Sequence, residues 1–298
     1  MEIIFKSKAD RKDVMLKTFL ADIMSDCSAN YHSRKEVARK LEEYYQASFY
    51  GLTNKTGNIL MTSFVLNFLN PKYASNKDYL ENVLSLPLEM ILNPAIEAGD
   101  FDIRNFNIVK NRLHDEILGV GENISRVTLK KALSKLDESS PTSYGILGTV
   151  EELEEISPKS LALAYQDLIQ SSCDIFIIGD LEMDKVANLI FKYFKNPVVK
   201  TEELPTLYVD NKVYSKGRTF RETSHFLETN LVQIYNITSL TEKEKVTTLY
   251  FYNYLLGGGG LNTKLYQLLR ERNSLCYGVK SVYLKYDQLL VIQTSINK

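Results

Sequence analysis

Apolar residues recur at helical spacing from Leu16 through Phe19, Leu20, Ile23 and Met24 to Cys27. This predicts an amphipathic helix over about 12–27, after a short strand at 2–5. Ser33-Arg-Lys-Glu36 has the spacing of a capping box, and Val37, Leu41 and Tyr44 form the apolar stripe of the helix it opens. The period then changes. Residues 47–53 and 58–69 are dense in aromatic and aliphatic side chains around an Asn54–Gly57 turn signal, which is the pattern of a β-hairpin. Helices are predicted over 78–92 (with Pro87 as a kink), 101–118 and 122–137, the last polar enough to be exposed. Ser157-Pro158 opens another helix running to about 171, serine as cap and proline in the first turn. Cys173–Ile178 is a short buried strand, and 182–194 a further helix.

Periodicity fades over 195–206, which carries Pro197 and Pro205. We therefore expect a first half at 1–197, a linker at 198–216 and a second half at 217–298. The second half shows strands within 218–238, helices over 242–256 and 262–272, and strands over 276–286 and 288–296. Its pattern ends inside a strand, so it is expected to be incomplete. A hairpin, a run of helices, then strand and helix give an α+β class rather than a regular βαβ repeat.

Composition narrows the function. The 298 residues are 44% hydrophobic and 24% charged with a net charge of -1, which gives no footing for nucleic acid or an anionic membrane. Cys27, Cys173 and Cys276 are far apart and form no CxxC pair. They suit reduced thiols in a cytoplasm and no cysteine zinc site. The N-terminus lacks a signal-type apolar core, and no apolar run is of membrane-spanning length. The expected localisation is cytoplasmic.

The chemistry concentrates in Leu255–Tyr277. A run of Gly257, Gly258, Gly259 and Gly260 precedes a helix that ends near Arg270, and Tyr277 follows in a strand. That layout can aim a guanidinium and a phenol at one point, where they would hold a peptide carbonyl. The plainer alternative is a surface arginine at a helix C-terminus and a tyrosine packed on a sheet. The glycines are no phosphate loop, since GxxxxGK[ST] is not met and no strand leads in. They are either a flexible turn or a flap that touches bound peptide.

Five segments in order carry a family resemblance: Tyr31–Val37 with Tyr45-Gln-Ala47, Gly148–Leu153 with Ile156-Ser157, Ile178–Leu181, Leu261–Arg270, and Ser274–Tyr277. Together they resemble the pitrilysin/insulinase zinc peptidases, whose mark is an inverted HxxEH motif. They are most similar to bacterial non-catalytic members that pair with an HxxEH-bearing sister. The resemblance implies two related α/β halves closing around an unfolded peptide.

It also locates a loss. The motif positions fall on Thr18, Ala21 and Asp22, and the third ligand on Glu116, near His114. Zinc of this type needs two imidazoles, a carboxylate and a glutamate base. Thr18 and Ala21 supply neither ligand nor base, so no metal is expected on this chain. The resemblance thus implies a catalytically inactive subunit that gives a chamber wall and the Arg270–Tyr277 pair to a sister holding the zinc. Alternatives are a peptide-binding or scaffold protein of the same fold, and a zinc peptidase with unusual ligands.

Overall fold

The computed structural model describes residues 1–194, 203–224 and 226–297. Residues 198–202 of the expected linker, and His225, lie outside the described residues. The chain divides into two compact units, one of Met1–Ile117 with Ile146–Pro205, the other of Leu118–Gly145 with Thr206–Lys298.

In the first unit, β1 (Glu2–Lys8) lies between β3 (Ile59–Asn67) and β6 (Ser172–Phe176), and β2 (Ser48–Thr56) closes the sheet in the order β2-β3-β1-β6. All pairings are antiparallel. Helix α1 (Arg11–Asp26) starts at Asp10, whose carboxylate accepts from the Lys12 N–H. Its apolar positions Phe19, Leu20, Ile23 and Met24 are completely buried. The Phe19 ring stacks on Phe106 at 4.8 Å between centroids. On the sheet side α1 comes very close to β2: a Cβ at Gly51 would fall 1.9 Å from the Ala21 carbonyl oxygen, so only glycine fits.

Helices α2 (Arg34–Glu43), α3 (Tyr79–Leu92) and α4 (Ile103–Gly121) follow, with the strand pair β4 (Ile96–Glu97) and β5 (Asp100–Phe101) between α3 and α4. α3 continues through Pro87. The expected box at Ser33 is half formed. Ser33 accepts from the Glu36 N–H, but Glu36 reaches past it to the His32 N–H at 2.8 Å. The hairpin turn sits at Gly57–Asn58, later than the Asn54–Gly57 signal, because β2 pairs as far as Thr56 with Ile59. Helices α6 (Val150–Glu154), α7 (Pro158–Ile169) and α8 (Met183–Tyr193) complete the unit. The Ser157 cap is present, with Ser160 as its reciprocal partner.

The second unit is built on α5 (Ile124–Leu136) and on the antiparallel strands β7 (Glu228–Asn236), β8 (Gly278–Leu284) and β9 (Leu289–Asn297), ordered β7-β9-β8. We expected α5 within 1–197. It packs with the second unit instead: Asn230 Nδ2 donates to Ser125 Oγ at 3.1 Å and Gln293 Nε2 to the Ser125 carbonyl at 2.7 Å. No residue of α5 is fully buried, so its pattern carries no address for either sheet. Of the strands expected in 218–238, β7 is the one present among the described residues. Arg218 instead stacks 3.4 Å from the Tyr214 ring and donates to the Lys135 carbonyl at the C-terminal end of α5.

A helical run extends over Glu244–Gly258. Its centre is α9 (Leu249–Asn253), flanked by π-helical turns. Helix α10 (Lys264–Tyr266) continues into a π-helical turn over Gln267–Arg272. Among the described residues no helix is long and apolar enough to cross a membrane.

Candidate functional site

The residues expected at the zinc motif, Thr18, Ala21 and Asp22, lie on α1, and their chemistry is engaged elsewhere. The Thr18 hydroxyl is buried within reach of the Ile146 carbonyl at 2.8 Å and the Val14 carbonyl at 3.0 Å. Ala21 is buried where α1 meets Gly51, so a base at this position would have no opening to water. Asp22 accepts from Arg112 Nη2 of α4 at 3.0 Å, and Asp26, one turn further, accepts from Nη1 of the same guanidinium at 2.7 Å. Arg34 adds a longer pairing to Asp26 at 3.7 Å.

One guanidinium thus bridges two carboxylates spaced i, i+4 on α1. Burial pushes the Asp22 carboxyl above its ordinary 3.8, and Arg112 pulls only partly the other way. At Arg112 burial opposes the charge, but Asp26 and Asp22 outweigh it and raise the pKa. The cluster therefore favours the arginine more than it favours Asp22. Asp26, with the shorter bond and the more buried side chain, is the stronger anchor.

Glu116 is exposed on α4, and His114 has its Nδ1 3.7 Å from Asp115. Among the described residues no three His, Cys, Asp or Glu side chains group closely enough to hold a metal ion. The residues at the motif do not fit zinc: a hydroxyl bonded to backbone, a methyl and a carboxylate already bridged by arginine form no donor set. Sequence reasoning found Asp22 but missed Arg112 and Asp26. The signal was available, since two buried-face carboxylates one turn apart require a cation between them.

The second candidate lies wholly in the second unit. Arg270, Glu271, Ser274, Cys276 and Tyr277 line one open concavity of about 480 Å³. The turn between the two expected residues is fixed by Ser274, which adopts a left-handed φ of 50°. Its N–H donates to the Arg270 carbonyl at 2.9 Å, and the Leu275 N–H to the Leu269 carbonyl at 2.8 Å. The Arg270 guanidinium rests 4.9 Å from the centroid of the buried Tyr266 ring. Tyr277 is 68% exposed. Glu271 and Cys276, which the sequence pattern did not single out, share the concavity.

The glycines divide. Gly257 is buried inside the helical run rather than in a flexible turn, and a Cβ there would fall 2.7 Å from the Ser281 backbone nitrogen of β8. Its role is close packing of helix on strand. Gly258 ends the helical run, and Gly260 takes a left-handed φ of 92° in the turn that follows.

The chain is similar to several known proteins. The family model described as the Peptidase M16 inactive domain matches residues 156–298. The "Probable inactive metalloprotease YmfF" of Bacillus subtilis (strain 168) is 24% identical over 301 residues, covering 99% of this chain and 70% of that protein. Among solved structures, a conserved protein from Enterococcus faecalis superposes with a TM-score of 0.87 at 24% identity, over 99% of this chain and 69% of that one. A Peptidase M16 inactive domain from Pseudomonas fluorescens gives 0.71 at 16% identity, over 99% and 69%.

Proposed function

Since this chain is an inactive-type homologue of the M16 peptidases, we propose that it is the catalytically silent subunit of a two-chain bacterial zinc peptidase. In this reading it supplies chamber wall and the Arg270–Tyr277 pair, and a sister subunit holds zinc in an intact HxxEH motif. The observation that carries the reading is a contrast. Thr18 and Ala21 are buried against backbone and Asp22 is bridged by Arg112, while Arg270 and Tyr277 share an open concavity.

The guanidinium and the phenol would donate to the scissile carbonyl and to the oxyanion it becomes. Arg270 stays charged throughout and is steadied by the Tyr266 ring. Zinc on the sister supplies the activated water; this chain supplies positioned charge and a surface for an extended peptide. The pair would work in the cytoplasm, where three unpaired thiols remain reduced.

The test mixes this chain with an HxxEH-bearing sister from the same genome and follows cleavage of a quenched fluorescent peptide. We expect activation by the wild type, and a fall of about a hundredfold with Arg270→Ala at unchanged assembly. Unchanged turnover in an assembled Arg270→Ala complex removes the proposed role. Complex formation without activation favours the peptide-binding scaffold.

A further inference from the structure

The net charge of the chain is -1, yet one face of the second unit gathers cations. On α5, Arg126, Lys130, Lys131 and Lys135 are exposed, and Ile124–Leu136 holds no acidic residue. They form two rows spaced i, i+4, Arg126 with Lys130 and Lys131 with Lys135. Like charges at that spacing weaken a helix. The helix dipole favours Lys135 in the last turn but opposes Arg126 in the first. Helix stability therefore does not account for this set.

The segment that packs against the end of α5 adds to the charge instead of cancelling it. Residues 211–221 bring Lys212, Lys216, Arg218 and Arg221, all exposed, and again no carboxylate. Neutral groups hold the segment in place. The Tyr214 hydroxyl donates to the Leu136 carbonyl at 3.0 Å, and Arg218 Nη2 to the Lys135 carbonyl at 2.6 Å. The Tyr214 ring has the Arg218 guanidinium 3.4 Å and Lys212 Nζ 5.4 Å from its centroid, and the Phe220 ring lies 5.3 Å from Arg218. These contacts fix the cations and leave their charge in place. Of the bordering carboxylates, Glu222 pairs with Lys131, and Asp137 accepts from the Lys212 N–H at 3.2 Å and from the Ser139 hydroxyl at 2.7 Å. Among the described residues, no ion pair to a carboxylate engages Arg126, Lys135, Lys216, Arg218 or Arg221.

We infer that this face of the second unit binds an acidic segment of polypeptide in extended conformation. Within each row of α5 the cations are about 6 Å apart along the axis. Side chains on one face of an extended peptide recur at about 6.6 Å. A carboxylate at every second position therefore meets successive cations of a row, and Arg218 continues the charge past the C-terminal end of α5. Phe220, exposed beside Arg218, offers an apolar contact. A peptide fits better than a long nucleic acid. The helix is only about 20 Å long, and a polyanion that overruns it meets a chain of net negative charge. None of these residues lines the Arg270 concavity, so the inference stands apart from the role of that pair.

The probe is a peptide of about twelve residues with glutamate at every second position. It is titrated into the full chain and followed by amide chemical shifts. We expect shifts confined to 124–136 and 211–222, and binding that weakens as salt rises from about 0.05 M to about 0.2 M. Arg126→Gln with Lys135→Gln and Arg221→Gln should lower affinity about tenfold. The three side chains are exposed, so the variant should fold as the wild type does. Lys35→Gln with Arg39→Gln and Lys77→Gln removes the same charge from exposed positions of the first unit, and should leave affinity within about twofold. Absence of binding, an equal loss in this control, or equal binding of the lysine counterpart of the peptide overturns the inference. Tighter binding of a thymidine oligonucleotide with the same number of charges assigns the face to nucleic acid and also overturns it.

Discussion

The two units share a strand order, β2-β3-β1 and β8-β9-β7, and a glycine-mediated contact of helix on sheet, Gly51 against Ala21 and Gly257 against Ser281, yet they differ in where charge and apolar surface are left. In the first, α1 is enclosed: its apolar positions are covered by α7 and Phe106, and its carboxylates are closed by Arg112. In the second, the matching helix presents Phe251 and Leu255 to solvent, and Arg270 and Tyr277 line an open concavity. Among the described residues, one framework is therefore covered in the first unit and open over Phe251 and Leu255 in the second. The choice rests on a few neighbours rather than on topology.

The largest effect that would sharpen this contrast is in packing. Phe19→Ala should destabilise the protein by about 3–5 kcal/mol in urea unfolding, because it opens a cavity against Phe106. Leu255→Ala, two residues before Gly257 as Phe19 is two before Ala21, should change stability by no more than about 0.5 kcal/mol. Equal costs would break the correspondence. Next is the glycine contact. Gly257→Ala should cost about 1–3 kcal/mol, since the new methyl meets the β8 backbone at Ser281. A neutral outcome would show that this helix does not lie tightly on β8.

The ion cluster comes third. Arg112→Gln should cost about 1–2 kcal/mol, below the figure for a fully buried pair because the side chains are partly solvated. Its pH dependence has a defined sign. Asp22 has a folded pKa above its ordinary 3.8, so the native state holds this proton more tightly than the unfolded chain. Its contribution is fully present below the ordinary value and is lost as pH rises through the raised one. The advantage of wild type over Asp22→Asn should therefore shrink across that window; a growing advantage would mean that Arg112, not burial, dominates at Asp22.

The smallest effect is chemical. Burial pushes the Cys27 and Cys173 thiols up to about 12, so neither should react readily with a disulfide reagent at neutral pH. Cys276 lines the open concavity and should label first, with labelling slowed by any peptide that occupies the Arg270 site. Rapid labelling of Cys27 would show that the first unit is less closed than its packing indicates.

Much of this was legible in the residue pattern. The stripe from Leu16 to Cys27 gave α1, alternation gave the hairpin of β2 and β3, and Ser157-Pro158 gave the start of α7. That Thr18, Ala21 and Asp22 offer no pair of imidazoles was readable too, because metal ligation depends on residue type at fixed helical spacing. The pattern misled where no local signal exists. Helix α5 is evenly half-exposed and carried no mark of the sheet it joins, and the glycine run concealed one residue, Gly257, that belongs to a packed helix.

The sequence alone determined the order of elements, the family likeness and the residue types at Thr18, Ala21 and Asp22, since each depends on residue identity and local spacing. Only the tertiary structure decided that Arg112 bridges Asp22 and Asp26 across 90 and 86 residues of chain. The same holds for Arg270 and Tyr277 sharing one concavity, and for matched apolar positions being covered in one unit and open in the other. Those outcomes depend on which distant elements meet, and periodicity along a chain records the face a residue presents, not the neighbour that comes to cover it.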